Sequence, residues 1–313
     1  RYKTIKIMDI TPLLSNNALS MRRSQIRDLL SVATRPEIIS FAGGFPNPET
    51  FPMEDLKKIM QEVLDKDGNA ALQYGSTDGV LALRKEISKL YKREEGLDIP
   101  VENILITTAS QQALDLVSRV FINPGDVVVC GLSSYLGALQ AFWSYQGQPY
   151  GLRHNLGLDE ACNVLCATGK KPKFLYSIPD FQNPSGETMS IEEREYAVEV
   201  AQKYDLLIVE DTPYKNIRFS GERLPSMYSM APDRVIMLGT FSKTFVPGFR
   251  LGWVVAPTNI IDRLIVAKQS ADLCTPAFTQ LVAARYLASG LYDENLQKTC
   301  ALYKRKKDLM IQS

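Results

Sequence analysis

The chain has 313 residues, of which 45% are hydrophobic and 23% charged, and its 36 basic residues nearly balance its 35 acidic ones. This composition is typical of a globular protein long enough for one large core or two domains. The balanced charge gives no electrostatic reason to expect nucleic acid or an anionic membrane as a partner.

Histidine and cysteine usage limits the possible chemistry. One histidine, His154, and five scattered cysteines do not form the clustered set of ligands that a zinc site needs, so we expect no metal. A single histidine also argues against Ser-His-Asp and Cys-His catalysis. The apolar runs are too short to cross a bilayer, and the first residues show no signal peptide. We therefore expect reduced thiols and a cytoplasmic setting, with no membrane contact.

Apolar runs alternate with amphipathic stretches through the middle of the chain. An amphipathic stretch covers Ser20–Ser31. The pattern predicts helices at Met53–Asp67, Val80–Glu95, Gln111–Phe121, Leu136–Tyr145, Ser190–Gln202, Asn259–Ala271, Pro276–Ala288 and Asp293–Ile311. Gly68 and Gly96 are predicted to end the first two of these helices, and Ser190 is predicted to form a capping box with Glu193. Between the helices, strands are predicted at Asn103–Thr107, Val127–Cys130, Lys173–Ile178, Leu206–Glu210, Arg234–Leu238 and Leu251–Ala256. Strands that alternate with helices favour an α/β fold with a mostly parallel sheet covered on both faces.

Lys243 is the most informative residue for function. It lies between two predicted strands, where partial desolvation would disfavour the charged amine and leave a nucleophile that can form a Schiff base with a carbonyl compound. Seven residues later, Arg250 offers a planar cation suited to a phosphate. Pyridoxal phosphate is an aldehyde that also carries a phosphate, so it would match both residues.

Three further residues follow predicted strands and could contact the ring of such a cofactor. Asp211 could pair with a pyridinium nitrogen, while Tyr214 and Asn183 could donate hydrogen bonds to the phenolate oxygen. Each also has an ordinary structural interpretation, Asp211 as a cap, Tyr214 as a packed aromatic and Asn183 as a turn residue.

Candidate ligands for the phosphate also follow strands. Ser110 and Gln111 open a helix, and helix N-termini bind anions through their free N–H groups, although Ser110 could equally be a simple cap. Thr240 and Ser242 flank Lys243 and could add hydroxyl donors. Tyr135, at a strand-to-helix junction, could stack on the ring or merely pack in the core. Together with Lys243, these residues predict a pyridoxal phosphate site.

The order and spacing of these motifs resemble the class I and II aminotransferases of pyridoxal phosphate fold type I. The likeness is to the branch that includes 2-aminoadipate, kynurenine and multi-substrate aminotransferases. The matching stretches are Ile39–Pro52, Leu72–Gly79, Thr107–Asp115, Tyr135–Phe142, Pro179–Gly186, Val209–Tyr214, Thr240–Thr244 and Gly248–Gly252.

The resemblance implies a large domain with a mostly parallel seven-stranded sheet, and a small domain of which little is present. It divides the chain into an N-terminal arm at 1–45, the cofactor-binding domain at 46–290 and the start of a C-terminal domain at 291–313. The family continues well beyond this length and there carries the arginine that grips the substrate carboxylate, so we expect the native protein to be longer.

The resemblance also implies a homodimer with shared active sites. Tyr74 would reach the phosphate bound by the partner subunit, Gly44 and Asn183 would line the substrate site, and Ser24 and Arg27 would contact the substrate side chain. The implied function is ping-pong transamination, with Lys243, Asp211 and Tyr214 as catalytic residues.

The amino donor would be an L-amino acid of the 2-aminoadipate, glutamate, aromatic or branched-chain type, and the acceptor a 2-oxo acid such as 2-oxoglutarate. A lyase or decarboxylase of the same fold, or a non-catalytic regulatory domain that binds the cofactor, is the alternative.

Overall fold

A single seven-stranded sheet organises the computed structural model, which describes residues 8–21, 37–38, 44–152 and 157–313. The spatial order is β1-β7-β6-β5-β4-β2-β3, and β7 runs antiparallel to both of its neighbours while the other pairs are parallel. The mostly parallel sheet is therefore confirmed. The strands are β1 (Ile104–Thr107), β2 (Val127–Gly131), β3 (Gln148–Leu152), β4 (Phe174–Ser177), β5 (Leu207–Asp211), β6 (Val235–Thr240) and β7 (Gly252–Val255).

Eleven α-helices lie in the described part of the chain. They are α1 (Asn16–Ser20), α2 (Met53–Leu72), α3 (Leu81–Glu95), α4 (Ala109–Phe121), α5 (Leu136–Ser144), α6 (Leu158–Ala167), α7 (Ile191–Lys203), α8 (Met227–Met230), α9 (Thr258–Gln269), α10 (Ala277–Ala288) and α11 (Leu291–Gln312). Among the described residues, no helix combines the length and the apolar character needed to cross a membrane.

Alternate residues of the buried strands face two separate apolar clusters. In β1, Ile104 and Ile106 pack in the cluster that contains Leu83 of α3, while Leu105 packs in the cluster that contains Leu114 of α4. Successive side chains of a strand point to opposite faces, so both faces of this sheet need a helical cover. Every strand except β3 is mostly buried as a result.

Helix ends follow the local sequence in two of three predicted places. Gly96 ends α3 in the left-handed region at φ 72°, and Ser190 with Glu193 forms the predicted capping box at the start of α7. The prediction that Gly68 closes its helix is wrong. Asp67 leaves helical geometry at φ −127°, ψ 18°, but α2 resumes and runs to Leu72. Arg285 of α10 pairs with Asp67 and holds the kinked helix against its neighbour.

Some elements of the structure were not predicted from the sequence. Strand β3 has mostly exposed side chains, so it lacks the apolar run that marks the other strands. Helix α6 follows it, and the short α8 was also missed. The predicted stretch Ser20–Ser31 lies outside the described residues apart from Ser20, the last residue of α1, and Met21.

Candidate active site

The predicted site residues gather at one edge of the sheet. Strands β1, β2, β4, β5 and β6 are mutually parallel, so their carboxyl ends share an edge, where ligands bind in open α/β sheets. Asp211 ends β5, and Lys243 follows β6 by three residues. Arg250 precedes β7, which runs the opposite way and so begins at the same edge. The antiparallel strand thereby carries Arg250 to the end of the sheet where Lys243 lies.

Lys243 lies in a tight turn anchored by buried aromatic residues. The backbone N–H of Phe245 donates to Phe241 O at 3.0 Å, and the Phe241 ring packs against Trp253 with 4.7 Å between centroids. The Lys243 ammonium Nζ donates to the backbone oxygen of Gly44 at 3.3 Å. Burial, together with the positive charge of Arg250, lowers the pKa of Lys243. The amine therefore reaches its neutral, nucleophilic form more readily than a surface lysine.

Thr240 and Ser242 form the first half of this turn. The Thr240 hydroxyl accepts from the backbone N–H of Ser242 at 3.1 Å, and Thr240 Oγ1 lies 3.0 Å from Ser242 Oγ and 3.1 Å from the backbone oxygen of Leu251. Thr240 is buried and engaged within the turn, whereas Ser242 is half-buried. The hydroxyl of Ser242 is thus the better exposed of the two.

The start of α4 approaches the same turn through an unusual backbone conformation. Ala109 has φ 59°, a left-handed value that non-glycine residues rarely adopt, and it places Ser110 Oγ 3.5 Å from the backbone oxygen of Gly239. Gly252 permits the approach, because a Cβ there would lie only 2.7 Å from Ala109 C and 2.8 Å from Ser110 N. Arg250 is exposed beside this turn and also adopts a left-handed φ of 54°.

Asp211 is 2% exposed and only half satisfied. The Tyr176 hydroxyl donates to Asp211 Oδ2 at 3.0 Å, while Oδ1 has no hydrogen-bond partner among the described residues. Burial raises the pKa of Asp211 to about 7, despite the opposing bond from Tyr176. A buried carboxylate with a free oxygen at the ligand-binding edge is suited to pair with a cationic group.

Sequence reasoning missed Tyr176. The residue lies in the buried strand β4 next to β5, and burial keeps its pKa well above the usual value, so the hydroxyl is a donor at neutral pH. One available signal was the residue type, because a tyrosine inside an apolar strand usually finds a partner for its hydroxyl.

Asn183 and Tyr214, both predicted as site residues, are in hydrogen-bond contact. Asn183 Nδ2 donates to the Tyr214 hydroxyl oxygen at 3.3 Å. Burial raises the pKa of Tyr214, so this hydroxyl also keeps its proton at neutral pH. The charge of Asp211 raises the pKa of Tyr214 further.

Tyr135 and Gln111 contact each other across a glycine. Tyr135 Oη lies 3.5 Å from Gln111 Oε1, and Gln111 Nε2 donates to the backbone oxygen of Gly137 at 2.8 Å. A Cβ on Gly137 would lie 2.5 Å from Tyr135 Cζ, so the ring can occupy its position only because residue 137 is glycine. After burial, the charge of Asp211 is the next largest cause that raises the pKa of Tyr135.

The remaining predicted residues are Tyr74, Gly44, Ser24 and Arg27. The Tyr74 side chain is 80% exposed. Gly44 contributes its backbone oxygen to Lys243. Ser24 and Arg27 lie outside the described residues.

The sequence and structure of the chain are similar to those of known aminotransferases. The family model "Aminotransferase class I and II" matches residues 37–313. An aromatic-amino-acid aminotransferase of Thermococcus litoralis is 43% identical over 98% of this chain and 75% of its own length. A crystal structure of Pyrococcus horikoshii kynurenine aminotransferase, solved in complex with PMP, superposes with a TM-score of 0.90 at 42% identity and covers 97% of this chain and 77% of that one.

A second solved structure carries a cofactor derivative. The α-aminoadipate aminotransferase LysN of Thermus thermophilus, complexed with N-(5'-phosphopyridoxyl)-L-leucine, has a TM-score of 0.88 at 35% identity over 97% of this chain and 77% of that one.

Pyridoxal phosphate agrees with the groups that this chain presents. A desolvated amine matches its aldehyde, a cation beside a helix N-terminus matches its phosphate, and the unpartnered oxygen of Asp211 matches its ring nitrogen. The matched family model, the relatives and this donor set agree. The chain belongs to the class I and II aminotransferase family of fold type I, and it is a pyridoxal phosphate-dependent enzyme that transfers amino groups.

Proposed function

We propose that this enzyme moves the amino group of an aromatic or acidic L-amino acid, such as 2-aminoadipate or kynurenine, to a 2-oxo acid such as 2-oxoglutarate. The similarity to an aromatic-amino-acid, a kynurenine and an α-aminoadipate aminotransferase supports this class of donors. The structural observation that carries the cofactor chemistry of this proposal is the buried Asp211 oxygen without a partner among the described residues, which suits a cationic ring nitrogen. The reaction is ping-pong, because donor and acceptor use one site in turn.

Lys243 has two tasks in this proposal. When bound, pyridoxal phosphate supplies an aldehyde that accepts amines and a ring that withdraws electrons from the substrate α-carbon. Lys243 Nζ would hold the aldehyde carbon of the bound cofactor. Burial and Arg250 lower the pKa of this amine, which would take the proton from the substrate α-carbon as a general base and deliver it to the former aldehyde carbon as an acid.

Asp211, Tyr214 and Asn183 set the electronics of the ring. Asp211 Oδ1 would pair with the ring nitrogen and favour its protonated form, which would keep the ring electron-poor. Tyr214 and Asn183 would donate hydrogen bonds to the ring oxygen, and their mutual bond at 3.3 Å keeps both side chains in place. Tyr135 would stack on the ring, and Gly137 leaves room for the tyrosine side chain.

The phosphate subsite is formed by the turn around Lys243 and the start of α4. Ser110, Gln111 and Ser242 provide donors, and Arg250 provides the charge that balances the dianion. Thr240 contributes less as a direct ligand than as the acceptor that fixes the Ser242 amide, since its hydroxyl is engaged within the turn.

The active form is a cytoplasmic homodimer in this proposal. The exposure of Tyr74 suits a side chain that reaches the partner's phosphate subsite, and five unpaired cysteines suit a reducing compartment. Gly44 and Asn183 line the substrate site, and Ser24 and Arg27 select the substrate side chain. Residues 1–45 form the arm, 46–290 the cofactor-binding domain and 291–313 the start of the small domain.

Covalent trapping tests the proposal directly. Borohydride treatment of the cofactor-loaded protein should attach pyridoxyl phosphate to Lys243, as identified by peptide mass spectrometry, and Lys243→Ala should lose both the attachment and turnover. Lys203→Ala, which removes an exposed lysine, is the control and should keep both. Attachment at another lysine, or full turnover by Lys243→Ala, would contradict the assignment. A panel of amino donors, followed by the change in cofactor absorbance, then identifies the preferred substrate.

A further inference from the structure

A fully buried cation lies behind the first turn of α4. Lys268, in α9, has no exposed surface, and its Nζ donates to Gln112 Oε1 at 2.8 Å, to Asp272 Oδ1 at 2.7 Å and to Thr275 Oγ1 at 3.0 Å. Burying an ammonium is costly unless its donors are satisfied, and here three side chains satisfy it. A group retained at such a cost calls for an explanation beyond packing.

Asp272 extends the network to the residue before α4. Its Oδ2 accepts from Gln112 Nε2 at 2.6 Å and from Thr108 Oγ1 at 3.1 Å, and Gln112 Oε1 accepts from the backbone N–H of Thr108 at 2.8 Å. Although burial alone would raise the pKa of Asp272, the bonds from Lys268, Gln112 and Thr108 lower it, so the group is a carboxylate at neutral pH. One ion pair therefore fixes the residues on both sides of the segment 109–111.

That segment is the strained part of the phosphate subsite. Ala109 adopts φ 59°, which costs conformational energy for a residue with a side chain and persists only when its surroundings hold it. Gly252 of β7 packs against Ala109 and Ser110. The hydrogen bonds of Lys268 and Asp272 hold Thr108 and Gln112 in place. The strained turn is thus held at two places.

We propose that Lys268 and Asp272 are positioning residues for the cofactor phosphate. By fixing Thr108 and Gln112, they keep the strained turn at Ala109 in the one conformation that aims the amides of Ser110 and Gln111 at the phosphate. The inference rests on the phosphate subsite of the proposed function. Among the described residues, Lys268 and Asp272 bond to each other and to Thr108, Gln112 and Thr275, and not to Lys243 or Asp211, so their effect should fall on the phosphate group and not on the aldehyde or the ring.

The test compares two ligands that differ only in the phosphate. Pyridoxal 5'-phosphate and pyridoxal are titrated separately into cofactor-free protein, followed by absorbance, and the ratio of their dissociation constants gives the preference for the phosphate. Lys268→Met should lower this preference by about tenfold, the size expected for one lost hydrogen bond to a charged group. Asp272→Asn keeps the side-chain shape and should also lower the phosphate preference. This variant provides the test if Lys268→Met does not fold.

Two controls separate positioning from stability and from the subsite itself. Arg285→Met removes ion pairs to Glu62 and Asp67 between α2 and α10, so it should lower the unfolding temperature but leave the phosphate preference unchanged. Arg250→Ala should lose the preference outright. The inference is overturned if Lys268→Met and Asp272→Asn bind both ligands equally more weakly, or bind both as the wild type does, while Arg250→Ala still loses the phosphate preference. An unchanged preference in Arg250→Ala overturns the phosphate subsite as well.

Discussion

The Tyr176 hydroxyl donates a 3.0 Å hydrogen bond to Oδ2 of Asp211, and the other carboxylate oxygen of Asp211 has no partner among the described residues. The two residues lie on adjacent parallel strands near the edge where the site residues collect. Tyr176 thereby occupies one oxygen and leaves the second for the ligand. The Tyr176 hydroxyl thus determines which oxygen of Asp211 is available for the cofactor ring.

Tyr176→Phe should raise the dissociation constant of the cofactor and lower kcat, each by about tenfold, because one hydrogen bond to a charged group is lost. It should also raise the pKa of Asp211, since that bond opposes the effect of burial. Cofactor titration, steady-state kinetics and the pH dependence of unfolding measure the three effects. Tyr228→Phe, at a buried tyrosine outside the site cluster, is the control; a variant of Tyr176 with unaltered pH dependence would refute the role.

The raised pKa of Asp211 predicts how the stability of the cofactor-free protein varies with pH. Folding raises the pKa from 3.8 to about 7, so the folded state binds the proton more tightly than the unfolded state. Stability therefore decreases as pH rises from about 4 to 7, and the cost above pH 7 is at most about 4 kcal/mol. Asp211→Asn cannot ionise and should be more stable than the wild type, by less than half as much at pH 5 as at pH 8.

Urea denaturation of the cofactor-free proteins at the two pH values checks this prediction. Glu102→Gln, at an exposed carboxylate, should behave as the wild type does. If Asp211→Asn and the wild type show the same pH dependence, Asp211 is not a strongly shifted group. The same variant should also bind the cofactor poorly, because it cannot provide a negative charge to the ring nitrogen.

Gly252→Ala should damage the phosphate subsite. A Cβ would lie within 2.8 Å of backbone atoms in Ala109 and Ser110, which cannot move without altering the turn. We expect a loss of about 1–3 kcal/mol in the free energy of unfolding and a weaker affinity for the cofactor. Gly248→Ala is the matched control and should be neutral, because a Cβ there would have no described atom within 4 Å outside the neighbouring residues. Equal behaviour of the two variants in denaturation and cofactor titration would argue against the close approach.

Subunit mixing tests whether Tyr74 acts across a dimer interface. If it does, a mixed dimer of Tyr74→Ala and Lys243→Ala chains holds one site with both defects and one with neither, so mixing two inactive variants should restore activity. Lys243→Ala mixed with Arg250→Ala is the control: both residues belong to the same subunit's site, so every site keeps a defect and activity should stay absent. Failure of the first mixture to recover, with dimers present, would place Tyr74 outside the partner's site.

Much of the framework could be read from the sequence. Lys243, Asp211 and Asn183 each follow a buried apolar strand, and parallel strands bring their ends together, so period and order were sufficient to group them. The exposed strand β3 carries no apolar run and was missed, and the stop predicted at Gly68 failed because a contact from α10 supports the helix beyond it.

Local pattern therefore determined the elements, the family motifs and the residues that bear the chemistry. The tertiary structure alone decided how those residues are held. Tyr176 meets Asp211 across 35 positions, Gln112 meets Asp272 across 160, and Gly252 packs on Ala109. Periodicity records which side of an element is apolar, but hydrogen bonds between distant polar groups depend on the register and spacing of packed elements, which no local stretch of sequence contains.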